Sequence, residues 1–148
     1  MTNDAIGFFL SRFGLSVTQI EDLLATALAR GGDYADLYFE YRENNSVSLE
    51  ERIIKTTSRS VAQGVGVRVL AGDKTGYAYT AEISHAAIKQ AAVTASFIAR
   101  AGGAREPLGV NATPSAHDLY AVETPLSSVE LGLKIELLKR ADGVARGY

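Results

Sequence analysis

The chain has two histidines and no cysteine, which leaves little metal or nucleophile chemistry of its own. His85 is followed by Ala86, so the H-E-x-x-H zinc pattern fails at its second position. At the first turn of a helix His85 reads as a surface residue, and His117, before Asp118, lies in a proline-containing stretch. A zinc site here would have to be completed by carboxylates. Carboxylates do pair along the chain, at Asp33 and Asp36, Glu40 and Glu43, and Glu50 and Glu51. Their spacing fits a solvated sheet face, and nothing in it makes two of them converge for acid–base work. No G-x-S-x-G elbow accompanies the histidines, so no Ser-His-Asp arrangement is defined. Gly64-Val65-Gly66 would need glycine at 69 for a dinucleotide fingerprint, and Val69 stands there. In Gly72-Asp73-Lys74-Thr75 an aspartate separates the glycine from the lysine of a phosphate loop, and the pattern that follows is a hairpin rather than a helix. These residues give no catalytic residue and no metal ligand, and describe a non-catalytic α+β module.

The stretch that organises the chain is Gln63 to Thr80. Val65, Val67 and Val69 alternate with Gly66, Arg68 and Leu70, so one face of a strand is apolar. Ala71 to Gly76 interrupts with turn formers, and Tyr77 to Thr80 resumes, which predicts a hairpin with a loop longer than two residues. Gly64 and Gly66 weaken a strand unless something presses on the bare backbone. A helix, a facing strand or a bound peptide would serve. Helix packing is the favoured reading, and the alanine-rich third helix is the favoured partner. Gly64, Gly66, Tyr77 and Tyr79 are the candidate contact residues for a peptide or a second subunit.

Around this hairpin the pattern predicts four helices and further strands. Ile6, Phe9, Leu10 and Phe13 form one stripe on a short helix ended by Gly14. Ser16 and Gln19 form a capping box for the next helix, whose Ile20, Leu23, Leu24, Ala27 and Leu28 make an apolar face. From Tyr34 to Arg42 apolar and polar residues alternate, with Ala35, Leu37, Phe39 and Tyr41 on one side. Asn44-Asn45 reads as a turn, Val47 and Leu49 as a further strand, Ile53-Ile54 as a bulge or a bend, and Thr56 to Ser60 as a polar turn. The fold class is therefore α+β: an antiparallel meander of about four strands with helices on one face. Ser84 caps the third helix, lined by Ile88, Ala91, Ala92, Ala95, Ile98 and Ala99. Residues 104–126, with Pro107 and Pro114, read as a linker that includes a short strand near Leu119 to Val122. Ser127 and Glu130 form a second capping box, opening a final helix over 127–148 with a wide apolar face. Residues 1–103 then form the α+β domain.

Composition narrows the function classes. A chain of 148 residues suits one domain, and 47% hydrophobic with 22% charged residues describes a globular protein. A net charge of -2 offers no basic footprint for nucleic acid. No run approaches the ~18 apolar residues of a membrane span. The first residues lack the basic and apolar regions of a signal peptide, and a cytoplasmic protein is expected.

Several motifs in order resemble the TldD/PmbA family of zinc metalloproteases, in particular its TldD branch. They are Asp33-Tyr34-Ala35-Asp36-Leu37-Tyr38, Ser48-Leu49-Glu50-Glu51, Gln63-Gly64-Val65-Gly66-Val67-Arg68 and Gly72-Asp73-Lys74-Thr75-Gly76-Tyr77-Ala78-Tyr79, with Ile83-Ser84 leading into the third helix. Leu137 to Asp142 and Ala145-Arg146 are compatible with the family. The resemblance implies the N-terminal domain of a cytosolic protease whose TldD-like and PmbA-like (TldE) subunits pair to trim or degrade unfolded peptides, including the leader of a modified antibiotic peptide and an antitoxin. In the family, zinc is held by two histidines of an H-E-x-x-x-H helix and a later cysteine. This chain contains neither motif, so no catalytic residue transfers to it. The expectation is an assembly or substrate-chamber domain, truncated before the protease core, inactive and free of zinc by itself. Its expected partners are a PmbA-like subunit or a second copy, and unfolded peptides. The alternative is a free-standing peptide-binding or dimerisation module with no proteolytic role.

Overall fold

The computed structural model describes residues 5–100 and 124–147. The elements run α1 (Ala5–Phe13), α2 (Val17–Leu28), β1 (Tyr34–Glu50), β2 (Ile53–Ala71), β3 (Lys74–Thr80), α3 (His85–Ala99), a short 3-10 turn (Leu126–Ser128) and α4 (Leu131–Arg146). The expected short strand near Leu119 to Val122 lies outside the described residues. By the density of its contacts the described chain divides into two units. One comprises residues 5–41 and 63–100, the other residues 42–62 and 124–147.

In the first unit the capping box before α2 forms as expected. Gln19 N–H donates to Ser16 Oγ at 3.2 Å, and Ser16 N–H donates to Gln19 Oε1 at 2.9 Å. Leu23, Ala27 and Leu28 point into the core, with Ile20 packed against it. Alternation along β1 is likewise realised. Ala35, Leu37 and Phe39 pack on the buried cluster, which is built on Val65, Val67, Val69 and Ala71 of β2. The Phe39 ring meets Phe9 of α1 at 5.4 Å. Arg12 of α1 lies over the Tyr41 ring at 4.2 Å and donates to its hydroxyl at 2.8 Å. Helix α3 buries Ile88, Ala91, Ala92, Ala95 and Ala99 as its pattern requires, but Ser96 takes the buried position that was assigned to Ile98. Ile98 is exposed, and Ser96 Oγ has no hydrogen-bond partner among the described residues.

The sheet has three strands in the order β1-β2-β3, not about four. Asn44-Asn45 and Thr56 to Ser60 are strand interior, and what read as separate strands merge into β1 of 17 residues and β2 of 19. The turn falls instead on Glu51 and Arg52, both with positive φ, 49° and 66°. Polar residues on a strand exposed on both faces look like loop, while a turn at Glu-Arg carries none of the usual Asn-Gly chemistry. The β2–β3 loop is also tighter than expected. Ala71 pairs with Lys74, leaving two loop residues, Gly72 and Asp73. Gly72 carries the positive φ of 57°, and its N–H donates to Asp33 Oδ2 at 2.7 Å.

Packing of α3 against Gly64 and Gly66 does not occur. A Cβ on Gly66 would lie 2.7 Å from the Tyr77 hydroxyl oxygen and 3.1 Å from the ring, so the tyrosine covers that glycine. A Cβ on Gly64 would lie 2.9 Å from the backbone oxygen of Thr80 on β3. The helix presses on Gly76, where a Cβ would come within 2.0 Å of the Ala95 carbonyl oxygen. Parity explains the difference. Gly76 pairs with Val69 on the core face, whereas Gly64 and Gly66 share the outer face with Arg68.

In the second unit, α4 begins at Leu131, after a 3-10 turn. The capping box expected from Ser127 and Glu130 does not form: Glu130 is itself the N-cap, with no side-chain bond. Ser128 Oγ donates instead to the Pro125 carbonyl at 2.7 Å. The hairpin residues of this unit are tied across strands by Ser46 and Ser58 at 2.7 Å and by Arg59 Nε to Glu43 Oε1 at 3.0 Å.

Candidate functional site

The outer face of the sheet in the first unit follows from the same parity that builds the core. Side chains at Val65, Val67 and Val69 turn inward, so Gly64, Gly66, Arg68 and Leu70 must turn outward. On β1 the outward set is Tyr34, Asp36, Tyr38 and Glu40, and on β3 it includes Tyr77 and Tyr79. Four tyrosines stand exposed on this face: Tyr34 at 51%, Tyr38 at 65%, Tyr77 at 56% and Tyr79 at 75%. Gly66 is opposite Tyr79 and Arg68 opposite Tyr77. With no side chain at Gly66, the Tyr77 ring drops diagonally onto the backbone of β2, an aromatic covering a strand glycine.

At the centre is a forked ion pair. Arg68 Nε lies 3.3 Å from Asp36 Oδ1 and 3.2 Å from Oδ2, and Arg68 Nη2 also donates to Oδ2. Hydrogen bonding to Asp36, with a further contribution from Tyr34, holds the guanidinium more firmly protonated than a free arginine. Both members remain partly exposed, so the pair orients the face more than it stabilises the fold. The four residues singled out from sequence, Gly64, Gly66, Tyr77 and Tyr79, therefore lie on one face. Tyr34, Tyr38 and the Arg68–Asp36 fork belong with them and were not picked out, although the alternation of β1 and β2 already assigned them to that side. β3 is an edge strand of the described sheet, so one row of its main-chain groups takes no part in the ladder.

Several of the other polar candidates have structural partners. Asp22 on α2 accepts from Lys89 Nζ at 3.0 Å and pairs with His85 Nε2 at 3.2 Å, both on α3. The Lys89 hydrogen bond comes first among the causes that lower the Asp22 pKa. Asp33 holds the β2–β3 turn, and Glu43 pairs with Arg59. His117 lies outside the described residues. No three His, Cys, Asp or Glu side chains converge among the described residues, and the cation already on Asp22 is an ammonium. These residues do not fit a zinc centre. No described helix is long and apolar enough to cross a membrane.

Residues 35–99 match the family model described as PmbA/TldA metallopeptidase domain 1. Over 149 aligned residues the chain is 37% identical to a protein of Haemophilus influenzae named Metalloprotease TldD homolog, covering 99% of this chain and 30% of that protein. Proteins of the same name in two subspecies of Buchnera aphidicola are similar as well. The one from Buchnera aphidicola subspecies Acyrthosiphon pisum is 32% identical over 114 residues and the one from subspecies Schizaphis graminum 33% over 116; each alignment covers 77% of this chain and 23% of the relative. The chain thus spans less than a third of the length of these relatives.

Proposed function

We infer that this chain, which belongs to the PmbA/TldD metallopeptidase family and corresponds to its first domain, is the assembly and substrate-handling part of a zinc-dependent protease acting on unfolded peptides. In this reading the bond-breaking residues lie elsewhere in the full-length protein. The described domain supplies a face that docks a second subunit, either PmbA-like or another copy, beside an edge strand that accepts peptide in extended form. A cytoplasmic protein is proposed on the same grounds.

One observation carries the reading: four exposed tyrosines surround a fixed arginine fork on a sheet face floored by glycine. Tyrosine and arginine are the side chains that dominate protein–protein hot spots, because they offer large rigid area and directional bonds at little entropic cost. A sheet face that served only as a solvated exterior would carry charged and small polar residues at these positions instead. Edge-strand pairing through main-chain groups suits a protease with sequence-tolerant substrates.

The test replaces Tyr38 and Tyr79 by alanine in the intact protein. Subunit association is followed by sedimentation over a concentration series, and cleavage by release from an unstructured peptide. The expected result is association at least tenfold weaker, with the melting temperature unchanged and cleavage reduced in proportion. Unchanged association together with unchanged cleavage overturns the assignment of this face.

A further inference from the structure

We propose that the second unit carries an oxyanion pocket that takes the carboxylate of a peptide. The choice of a peptide as ligand rests on the function proposed above; the pocket itself does not. A cavity of about 530 Å³ lies where Leu49 and Arg52 of the hairpin end meet Lys139, Asp142, Gly143 and Arg146 of the last turns of α4. That volume is the size of a small-ligand site, larger than a bare inorganic ion needs.

The charges are unequal. Three cations face one carboxylate, and the carboxylate is already engaged, since Arg146 Nε donates to Asp142 Oδ1 at 2.9 Å. Asp142 is the less exposed of the two, at 19% against 49%, so its carboxylate is the more enclosed member of the pair. Arg52 and Lys139 have no carboxylate partner among the described residues. A guanidinium and an ammonium left without anions on one concave surface form a receptor for carboxylate or phosphate.

Backbone geometry points the same way. Arg52 is held at φ 66°, in the left-handed region, at the second of two turn positions where glycine is the relaxed choice. This conformation fixes the direction in which the side chain leaves the turn. On the opposite wall, a Cβ built on Gly143 meets nothing within 4 Å, so a ligand can approach the helix backbone there. Leu49 adds an apolar wall. The retained Asp142 charge disfavours a dianionic phosphate and favours a monoanion with an adjoining N–H, which is the end of a peptide or the flank of an acidic side chain.

The test uses three probes on the intact protein: a short N-acetylated peptide with a free C-terminal carboxylate, the same peptide as its C-terminal amide, and inorganic phosphate. Binding is measured by calorimetry at two salt concentrations and by the amide shift of Gly143. The free-acid peptide is expected to bind, more weakly at high salt, and to move the Gly143 signal. The amide is expected to bind at least tenfold more weakly. Arg52→Gly, which relaxes the turn, and Gly143→Leu, which fills the cavity on a helix that tolerates leucine, should each weaken binding at least tenfold without lowering the melting temperature. An unmoved Gly143 signal overturns the site, as does unchanged affinity in both variants. Phosphate binding without peptide binding overturns the ligand assignment. Because no cleavage or subunit association is read, failure here is distinguishable from failure of the function proposed above.

Discussion

Gly76→Ala is the substitution on which the packing argument can be judged. The added methyl would stand 2.0 Å from the Ala95 carbonyl oxygen and 2.9 Å from both the Ala95 carbonyl carbon and the Ala99 nitrogen. Comfortable non-bonded separations are about 3.5 Å, so α3 must retreat locally by about 1.5 Å. Neither neighbour can yield by rotating a side chain, because both are helix backbone. A gap of that size forfeits more than half of the dispersion attraction along the seam where Ala91, Ala92, Ala95 and Ala99 meet the sheet. Overpacking of a close-packed core costs about 1–3 kcal/mol, and backbone-on-backbone overlap places this case at the upper end, about 3 kcal/mol. Urea unfolding followed by far-ultraviolet circular dichroism reads it directly. With a slope of roughly 1.5 kcal/mol/M, the midpoint should fall by about 2 M. Gly66→Ala is the matched control, because its methyl meets only the mobile end of the Tyr77 side chain. That variant should lose less than about 1 kcal/mol. Equal midpoints for the two variants, or a Gly76 loss below about 0.5 kcal/mol, would refute the close approach of α3 to β3.

Two further outcomes are expected. Asp22 has a lowered pKa, chiefly through its hydrogen bond to Lys89, so its contribution to stability is present above the unfolded carboxylate value and disappears as pH falls through the lower folded value. Asp22→Asn should therefore melt below the parent at neutral pH and converge with it in strong acid, as scanning calorimetry across a pH series will show. Ser16→Ala removes the hydroxyl that caps α2 and should cost about 1 kcal/mol in the same urea titration.

Much of the first unit was legible because its residues obey one period at a time. The Ser16–Gln19 box, the β1 alternation and the alanine stripe of α3 each name an element and a buried face. What misled was the segment from Asn44 to Ser60. Asparagine, serine and threonine serve equally in a turn and in a strand exposed on both faces, so local composition could not decide between them. The true turn, Glu51-Arg52, is set by cross-strand pairing and not by its own preference. At Gly64 and Gly66 the signal was present but applied to the wrong side. The alternation that put the valines in the core already turned these glycines away from it, and Gly76, in step with Ala78, was the position a helix could reach. The tyrosine face was half legible: Tyr77 and Tyr79 stand next to the glycines in the hairpin, whereas Tyr34 and Tyr38 join them only through strand order. The cations of the second unit gave no sequence signal, because Arg52 and Lys139 come from distant segments.

The length of β1 and β2, neighbours in the sheet, also governs how this hairpin can change in length. Removing two residues from each strand slides the turn inward and leaves every remaining side chain on its own side. Removing one from each turns over everything distal to the cut, exchanging the residues on the two surfaces out to Glu51 and Arg52. Natural or engineered length variants of the excursion should therefore come in steps of two per strand.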